Sequence, residues 1–295
     1  MSSIDLISET LKETFSFVKS NWKTLFVNSF KISVVSIIAL IAGFLIYFGA
    51  IFLAASISTW IIWLALPFLI LGYLISGVSF SAFFNSIDAT YNCKKLELIK
   101  TIKANFVPYT KFIVVLSAAM FVMFLPLIAW FMYSASNQLS SSAAYGYGSS
   151  NPAALTNAFS NIFIFLGLYI IELILIFIFS FFTQFAVWDV VLNKKGPVES
   201  IKSSIAMVKS NFWAVLGLDF LVYILLMAVV TILYFLFIPA FLVGAVSGGI
   251  LSIPIILVFY LVYFMVLLLF YIFLFSALYI LWKKLSTKVV VKSAK

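Results

Sequence analysis

The sequence lacks most of the residues on which catalysis and metal binding commonly depend. It contains no histidine and one cysteine, and all eighteen of its basic residues are lysines. A single cysteine excludes an internal disulfide and a cysteine-based metal cluster, and the absence of histidine removes the imidazole base. Neither a phosphate-binding Gly-Lys-Ser/Thr loop nor a dinucleotide fingerprint occurs. We therefore predict no catalytic residue, no cofactor and no metal site, with an intramembrane enzyme as the remaining alternative.

Charge is scarce as well. Charged residues form 9% of the chain against 65% hydrophobic residues, and the mean hydropathy is +1.23. A soluble domain needs about 25% charged residues to cover its surface, so lipid must cover this chain. Six apolar runs each exceed the ~20 helical residues that cross a bilayer, which predicts an all-α, polytopic integral membrane protein with six transmembrane helices. The runs are Ile32–Ile57, Trp60–Phe84, Phe112–Tyr133, Ile162–Val187, Phe220–Phe241 and Leu251–Leu281.

The lysines alternate with the apolar runs. They stand before the first run, between the second and third, between the fourth and fifth, and after the sixth. The other three connections carry neither lysine nor acid, and the longest of them, an outer loop at 136–161 rich in Ser, Ala, Gly and Tyr, is expected to be flexible. The positive-inside rule then places the chain in the cell membrane with both termini cytoplasmic.

Three of the lysine-bearing segments have apolar residues at helical spacing. The stripes run through residues 4–22, 99–106 and 198–212. We predict three inner-face amphipathic helices that lie in the membrane interface, with their lysines toward anionic headgroups rather than toward nucleic acid. The lysines expected to contact lipid are Lys12, Lys19, Lys103, Lys202 and Lys209.

The chain also resembles itself. Residues 9–22 match 199–212 at six of fourteen positions, and a Lys-Lys pair follows the second run of each predicted pair of spans at 94, 194 and 283. This predicts one membrane domain over 1–295, built from three parallel units of an interfacial helix plus a helical hairpin. The units cover approximately 1–93, 94–195 and 196–295. The alternative is that amphipathic, lysine-rich segments resemble one another without common descent.

One stretch resembles a known family. Residues 185–213 combine the end of a hydrophobic helix, a short basic turn, a Glu-Ser-x-Lys-x-Ser helix and the start of a further span. This is similar to the membrane domain associated with glycerophosphoryl diester phosphodiesterases and to related six-span prokaryotic proteins. The resemblance implies the six-span fold. It transfers no active site, because the catalytic barrel with its metal-binding carboxylates and histidines is absent.

Three ionisable residues are candidates for an intramembrane function. Glu172 lies inside the fourth apolar run, where a charge is costly, so it is a possible proton or cation relay or else a carboxyl bonded to a neighbouring helix. Lys31 and Asp219 precede the first and fifth runs at similar depth. They are expected either to pair across a repeat interface or to reach the inner surface separately, the lysine by snorkelling.

The inner halves of the second and fourth runs are unusually polar. Their side chains are candidates to line a vestibule open to the cytoplasm, although such residues are also ordinary packing material between membrane helices. The candidate vestibule residues are Ser79, Asn85, Asp88, Gln184 and Asp189.

Two functions from different classes follow. The first is a non-catalytic scaffold or accessory protein that organises lipid or a partner complex at the inner face, with membrane lipid as its ligand and a protein partner or a second copy of the chain as further possibilities. The second is a small transporter or channel for a solute or ion that uses Glu172. Scarce buried charge and regular interfacial helices favour the scaffold, whereas a polar cavity reaching Glu172 would favour transport.

Overall fold

The computed structural model describes residues 2–56, 60–144, 152–246 and 252–293. Their regular structure is entirely α-helical, and these four ranges contain no β-strand. The helices formed by these residues are α1 (Ser3–Ser56), α2 (Trp60–Tyr91), α3 (Leu98–Ala144), α4 (Pro152–Thr183), α5 (Ala186–Val191), α6 (Pro197–Ser210), α7 (Phe212–Val246) and α8 (Ser252–Ser293).

Six of these helices are long and apolar enough to cross a membrane, which confirms the number predicted from the apolar runs. Lipid offers no hydrogen-bond partner to the backbone, so an uninterrupted helix is the stable conformation of such runs. The candidate spans are Ser3–Phe52, Leu66–Tyr91, Leu98–Ser134, Phe163–Thr183, Phe212–Phe235 and Tyr260–Thr287.

The amphipathic segments do not all form separate helices. Residues 4–22 are the first turns of α1, and residues 99–106 are the first turns of α3. No glycine or proline occurs in 23–31, so nothing ends the helix between the amphipathic segment and the apolar run. Only α6 is a helix of its own. It begins at Pro197, after Gly196, and ends at Ser210, where the non-helical backbone of Asn211 separates it from α7.

The continuity of α1 makes it far longer than a bilayer is thick. Its 54 residues extend roughly 80 Å at ~1.5 Å per residue, against ~30 Å of hydrocarbon. The amphipathic first turns of α1 therefore have to continue past the hydrocarbon or bend into the interface.

The described residues of the segment predicted as an outer loop, 136–161, are helical. Helix α3 continues to Ala144 and α4 begins at Pro152, a residue suited to the first position of a helix. Alanines in both flanking stretches favour the helical conformation. The serines and glycines around them led to the prediction of a loop. The Tyr-Gly-Tyr-Gly segment of the predicted loop lies outside the described residues.

The most extensive contact between long helices joins α1 to α2, and further contacts join α1 to α8, α2 to α3, α7 to α8 and α3 to α4. The α1–α2 pair is held close at Gly72. A Cβ atom there would lie 2.7 Å from the carbonyl oxygen of Ala39 and 3.0 Å from the Cα of Gly43. Ser36 adds a hydrogen bond from its hydroxyl to the carbonyl of Ser76, at 3.3 Å. Small residues at the contact let two backbones approach, as membrane helices commonly require.

The fourth apolar run is broken, although the sequence predicts one continuous helix. Helix α4 ends at Thr183, and α5 begins at Ala186. The hydroxyl of Ser204, on α6, donates to the carbonyl of Phe182 at 2.8 Å and accepts the N–H of Phe185 at 3.1 Å. One side chain thus satisfies backbone groups on both sides of the break.

Candidate functional site

The protein core is concentrated at the end of the bundle that carries the Lys-Lys pairs, which we call the lysine-bearing end. At its centre the indole of Trp188, on α5, is fully buried. Its ring centroid lies 4.7 Å from that of Phe84, 5.2 Å from that of Tyr279 and 6.2 Å from that of Trp282. Aromatic contacts therefore connect α2, α5 and α8 at this end.

Polar side chains fasten the same helices together. The carboxylate of Asp88 accepts the hydroxyl of Tyr279 at 2.7 Å, which joins α2 to α8. Glu13, on α1, accepts the hydroxyl of Tyr91 at 2.6 Å and pairs with the ammonium of Lys284 at 2.9 Å. The first, second and last long helices are thus cross-linked at the lysine-bearing end.

The two well-matched amphipathic segments use the same face to pack against the protein. Thr10 and Thr14 on α1 are fully buried, and so are Ser200 and Ser204 at the corresponding positions of α6. In both segments the asparagine that follows donates to the backbone four residues earlier, Asn21 to Phe17 and Asn211 to Met207. Because these hydroxyl side chains are small, the two helices lie close to the core. The side of each helix that carries the hydroxyl residues therefore faces inward.

The apolar stripes are divided between two surroundings. Ile7, Leu11 and Val18 pack against the core and Val208 is fully buried, while other members of the stripes face outward. Ile4 is 77% exposed, Phe15 64%, Trp22 49% and Val198 54%. The lysines named as lipid contacts (Lys12, Lys19, Lys103, Lys202 and Lys209) are all exposed as well. Large apolar side chains and lysines therefore lie side by side on the surface of these segments that faces away from the protein core.

Two tight turns at this end are alike. Asp88 accepts the amide of Asn92, and Asp189 accepts the amide of Asn193, in each case four residues later. The next residue in both turns, Cys93 or Lys194, has a left-handed backbone, with φ of 53° and 55°. At the last Lys-Lys pair, α8 instead continues as a helix.

Lys31 and Asp219 do not pair with each other. The sequence left a pair across a repeat interface as one of two expected arrangements. Asp219 accepts the side-chain amide of Gln184 at 3.1 Å. Lys31 is exposed and makes no ion pair with any described residue. The break at the end of α4 brings Gln184 to Asp219, and this bend could not be anticipated from the apolar run.

The vestibule residues are engaged in hydrogen bonds inside the bundle. Ser79 is fully buried and donates to the carbonyl of Ile75 at 2.7 Å, and Asn85 donates to that of Ser81 at 3.3 Å. Asp189 is 2% exposed and pairs with Lys195 at 3.1 Å. Asp88 and Gln184 are bonded as described above. Two surface hollows in the described part of the chain are lined by other residues, so the vestibule stays a prediction.

Glu172 contacts a neighbouring helix at a proline. It is 2% exposed, and its Oε1 accepts the backbone N–H of Leu127, on α3, at 3.0 Å. The preceding residue, Pro126, has no N–H, and its ring presses on the previous turn of the helix. A proline inside a helix disturbs the backbone hydrogen bonds of its turn, so the N–H of Leu127 can take a partner outside α3. Glu172 supplies that partner, while its second oxygen has no hydrogen bond.

Replacing Glu172 with leucine is expected to lower the free energy of unfolding by about 1–3 kcal/mol, because the N–H of Leu127 loses its acceptor in an apolar surrounding. Glu172→Gln keeps a carbonyl acceptor and should cost less. Unfolding of the detergent-solubilised protein, followed by circular dichroism, measures both variants.

Pro126→Ala provides the matched background for that experiment. Alanine restores regular helical bonding, so Glu172→Leu should cost clearly less in the Pro126→Ala protein than beside the native proline. The two backgrounds form a double-mutant cycle. If Glu172→Leu lowers the free energy of unfolding equally in both, Glu172 does not interact with the turn that contains Pro126.

The described side chains form no cluster suited to a metal ion. Within residues 2–56, 60–144, 152–246 and 252–293, no three His, Cys, Asp or Glu side chains come together as a possible metal site. The helices define the class, a multi-pass membrane protein. Comparison with known proteins adds no narrower identity, since no family model, no curated protein and no solved structure matches the chain.

Proposed function

We propose that the chain is a non-catalytic scaffold or accessory protein of the cell membrane that binds anionic lipid at its lysine-bearing end. The observation that carries the proposal is the outward-facing surface of the amphipathic segments. Phe15, at 64% exposed, lies between Lys12 and Lys19, which are exposed as well. Apolar side chains that have no protein to cover them, with lysines beside them, suit the boundary between acyl chains and anionic headgroups.

The orientation belongs to the same proposal. Every lysine stands on the connections or termini of one side, and the positive-inside rule assigns that side to the cytoplasm. The cytoplasmic leaflet carries the anionic lipids that attract such residues. Both termini are then cytoplasmic, and the amphipathic surface faces the leaflet that its charge fits.

The parallel three-unit organisation is also proposed. Its support is the shared burial of Thr10 and Thr14 with Ser200 and Ser204, and the matching turns at Asp88 and Asp189. Transport is the weaker proposal. Glu172 uses one oxygen to hold Leu127, and the polar residues of the second and fourth runs bond within the bundle.

Lipid retention tests the proposed function. Native mass spectrometry of the protein, extracted gently and offered equal phosphatidylglycerol and phosphatidylcholine, should show selective retention of the anionic lipid. Substituting Lys12, Lys19, Lys103, Lys202 and Lys209 together with glutamine should weaken the selectivity strongly, because each lysine near a charged surface contributes about 1 kcal/mol.

The control replaces the same five lysines with arginine, which keeps the charge and should keep the selectivity. Equal retention of the two lipids by the wild-type protein would overturn the proposed function.

A further inference from the structure

Lys194 is held by a neutral side chain at the lysine-bearing end. It occupies the left-handed position of the turn between α5 and α6, with φ of 55°. Its ammonium donates to the side-chain oxygen of Asn105, on α3, at 2.6 Å. Asn105 is 1% exposed and donates in turn to the hydroxyl of Ser81, on α2, at 2.9 Å. Three elements of the fold therefore hold one ammonium in place.

Asn105 differs from the asparagines at the matching positions of the other segments. Asn21 and Asn211 donate to the backbone of their own helices. Asn105 instead turns inward and presents its oxygen to a lysine that is 89 residues away in sequence. Its packing thus serves the position of Lys194 rather than the end of a helix.

The charge of Lys194 is also left uncompensated. Lys195 pairs with Asp189, and Lys284 pairs with Glu13. Lys194 has only the neutral amide of Asn105, and no described carboxylate lies within ion-pair distance of it. Partial burial lowers the pKa of its ammonium, as expected for a cation without a compensating anion.

We propose that Lys194, positioned by Asn105, is a discrete binding site for the phosphate group of an anionic phospholipid. An ammonium has three N–H donors, of which Asn105 takes one, so two remain for phosphate oxygens in charge-assisted hydrogen bonds. The exposed side chain of Val198, four residues further along, offers an apolar contact for the lipid. This inference rests on the proposed function and gives it a specific site.

Two variants test the site against a matched lysine. Lys194→Gln removes the cation. Asn105→Asp keeps an acceptor for Lys194 but neutralises it with a carboxylate. Lys209→Gln removes the same charge from an exposed lysine of α6 whose ammonium has no described partner. The readout is the occupancy of the most tightly held phosphatidylglycerol, measured by native mass spectrometry against phosphatidylcholine.

We expect Lys194→Gln and Asn105→Asp each to lower that occupancy about tenfold or more, since the first removes the ammonium that donates to the phosphate and the second offsets its charge with a carboxylate. Lys209→Gln should lower it about fivefold or less, as loss of a general surface charge does. Equal effects of Lys194→Gln and Lys209→Gln would overturn the site. If Asn105→Asp does not fold, Lys194→Gln decides alone.

Two further arms separate the possible failures. Inorganic phosphate in excess should leave the bound lipid in place; if it displaces the lipid and binds at Lys194 itself, the site is for free phosphate and the lipid assignment is wrong. A wild-type protein without any anionic preference would refute the proposed function and this site together. A preference that survives in Lys194→Gln at the level of Lys209→Gln would refute this site alone.

Discussion

Substituting alanine for Trp188 is expected to lower the free energy of unfolding by about 3–5 kcal/mol, the largest effect that we expect of a single substitution in this chain. Trp188 is fully buried and contacts aromatic rings from α2 and α8. Its removal leaves a cavity that rigid neighbouring rings cannot fill. Five of the six residues of α5 are buried, and Trp188 is the largest of them.

Trp213→Ala is the control for this prediction. It deletes the same side chain from a position that is 72% exposed, outside the protein core. We expect its effect on the midpoint of thermal unfolding in detergent to be small. If both variants shifted the midpoint equally, the aromatic cluster around Trp188 would not be the centre of stability.

Replacing Gly72 with alanine should have the second-largest effect. The added Cβ would meet the carbonyl oxygen of Ala39 at 2.7 Å, closer than a carbon and an oxygen can approach. The obstructing atoms belong to the backbone of α1, so the helices themselves must separate. Overpacking of this kind costs about 1–3 kcal/mol, and it should appear as a lower unfolding midpoint together with weaker α1–α2 contact.

Gly49→Ala is the matched control, because α1 also carries this glycine and no heavy atom lies within 4 Å of its added Cβ. Alanine is the better helix former by up to about 1 kcal/mol, so this variant should be neutral or slightly stabilised. Destabilisation of both glycine variants to the same extent would argue against close packing at Gly72.

The sequence predicts the parts of this fold that depend on local pattern. Long apolar runs require helices, and helical spacing predicts one apolar stripe in the first turns of α1. Ile4, Phe15 and Trp22 of that stripe are exposed, whereas Ile7 and Val18 pack against the core. The same spacing does not reveal which face packs on the protein. It does not predict that Thr10 and Thr14 face the core, although their small size lets α1 pack closely there.

The residues whose partners are distant in sequence could not be paired in advance. Glu172 is unusual from its sequence context alone, but its contact with Leu127 depends on how α4 lies against the proline of α3. The bond between Asp219 and Gln184 could not be predicted, because the helix break before Phe185 has no glycine or proline to announce it. That break depends on Ser204, a residue of a later helix.

The contact between Lys194 and Asn105 is a similar case. Both residues belong to patterns that the sequence displays, a lysine pair and a segment-ending asparagine. Only the packing of α3 against α5 shows that they meet.

The central claim is that the outward stripe of the amphipathic segments lies in lipid while its polar neighbours lie in water. Nitroxide labels at Phe15 and Ser16, adjacent residues about 100° apart around α1, test it most directly. Each label would be attached singly to the Cys93→Ser protein in vesicles that contain phosphatidylglycerol. Electron paramagnetic resonance would then measure the collisions of each label with oxygen and with a water-soluble nickel complex. We predict that oxygen relaxes the label at Phe15 more strongly and the nickel complex relaxes the label at Ser16 more strongly. Equal access of the nickel complex to both labels would contradict the claim.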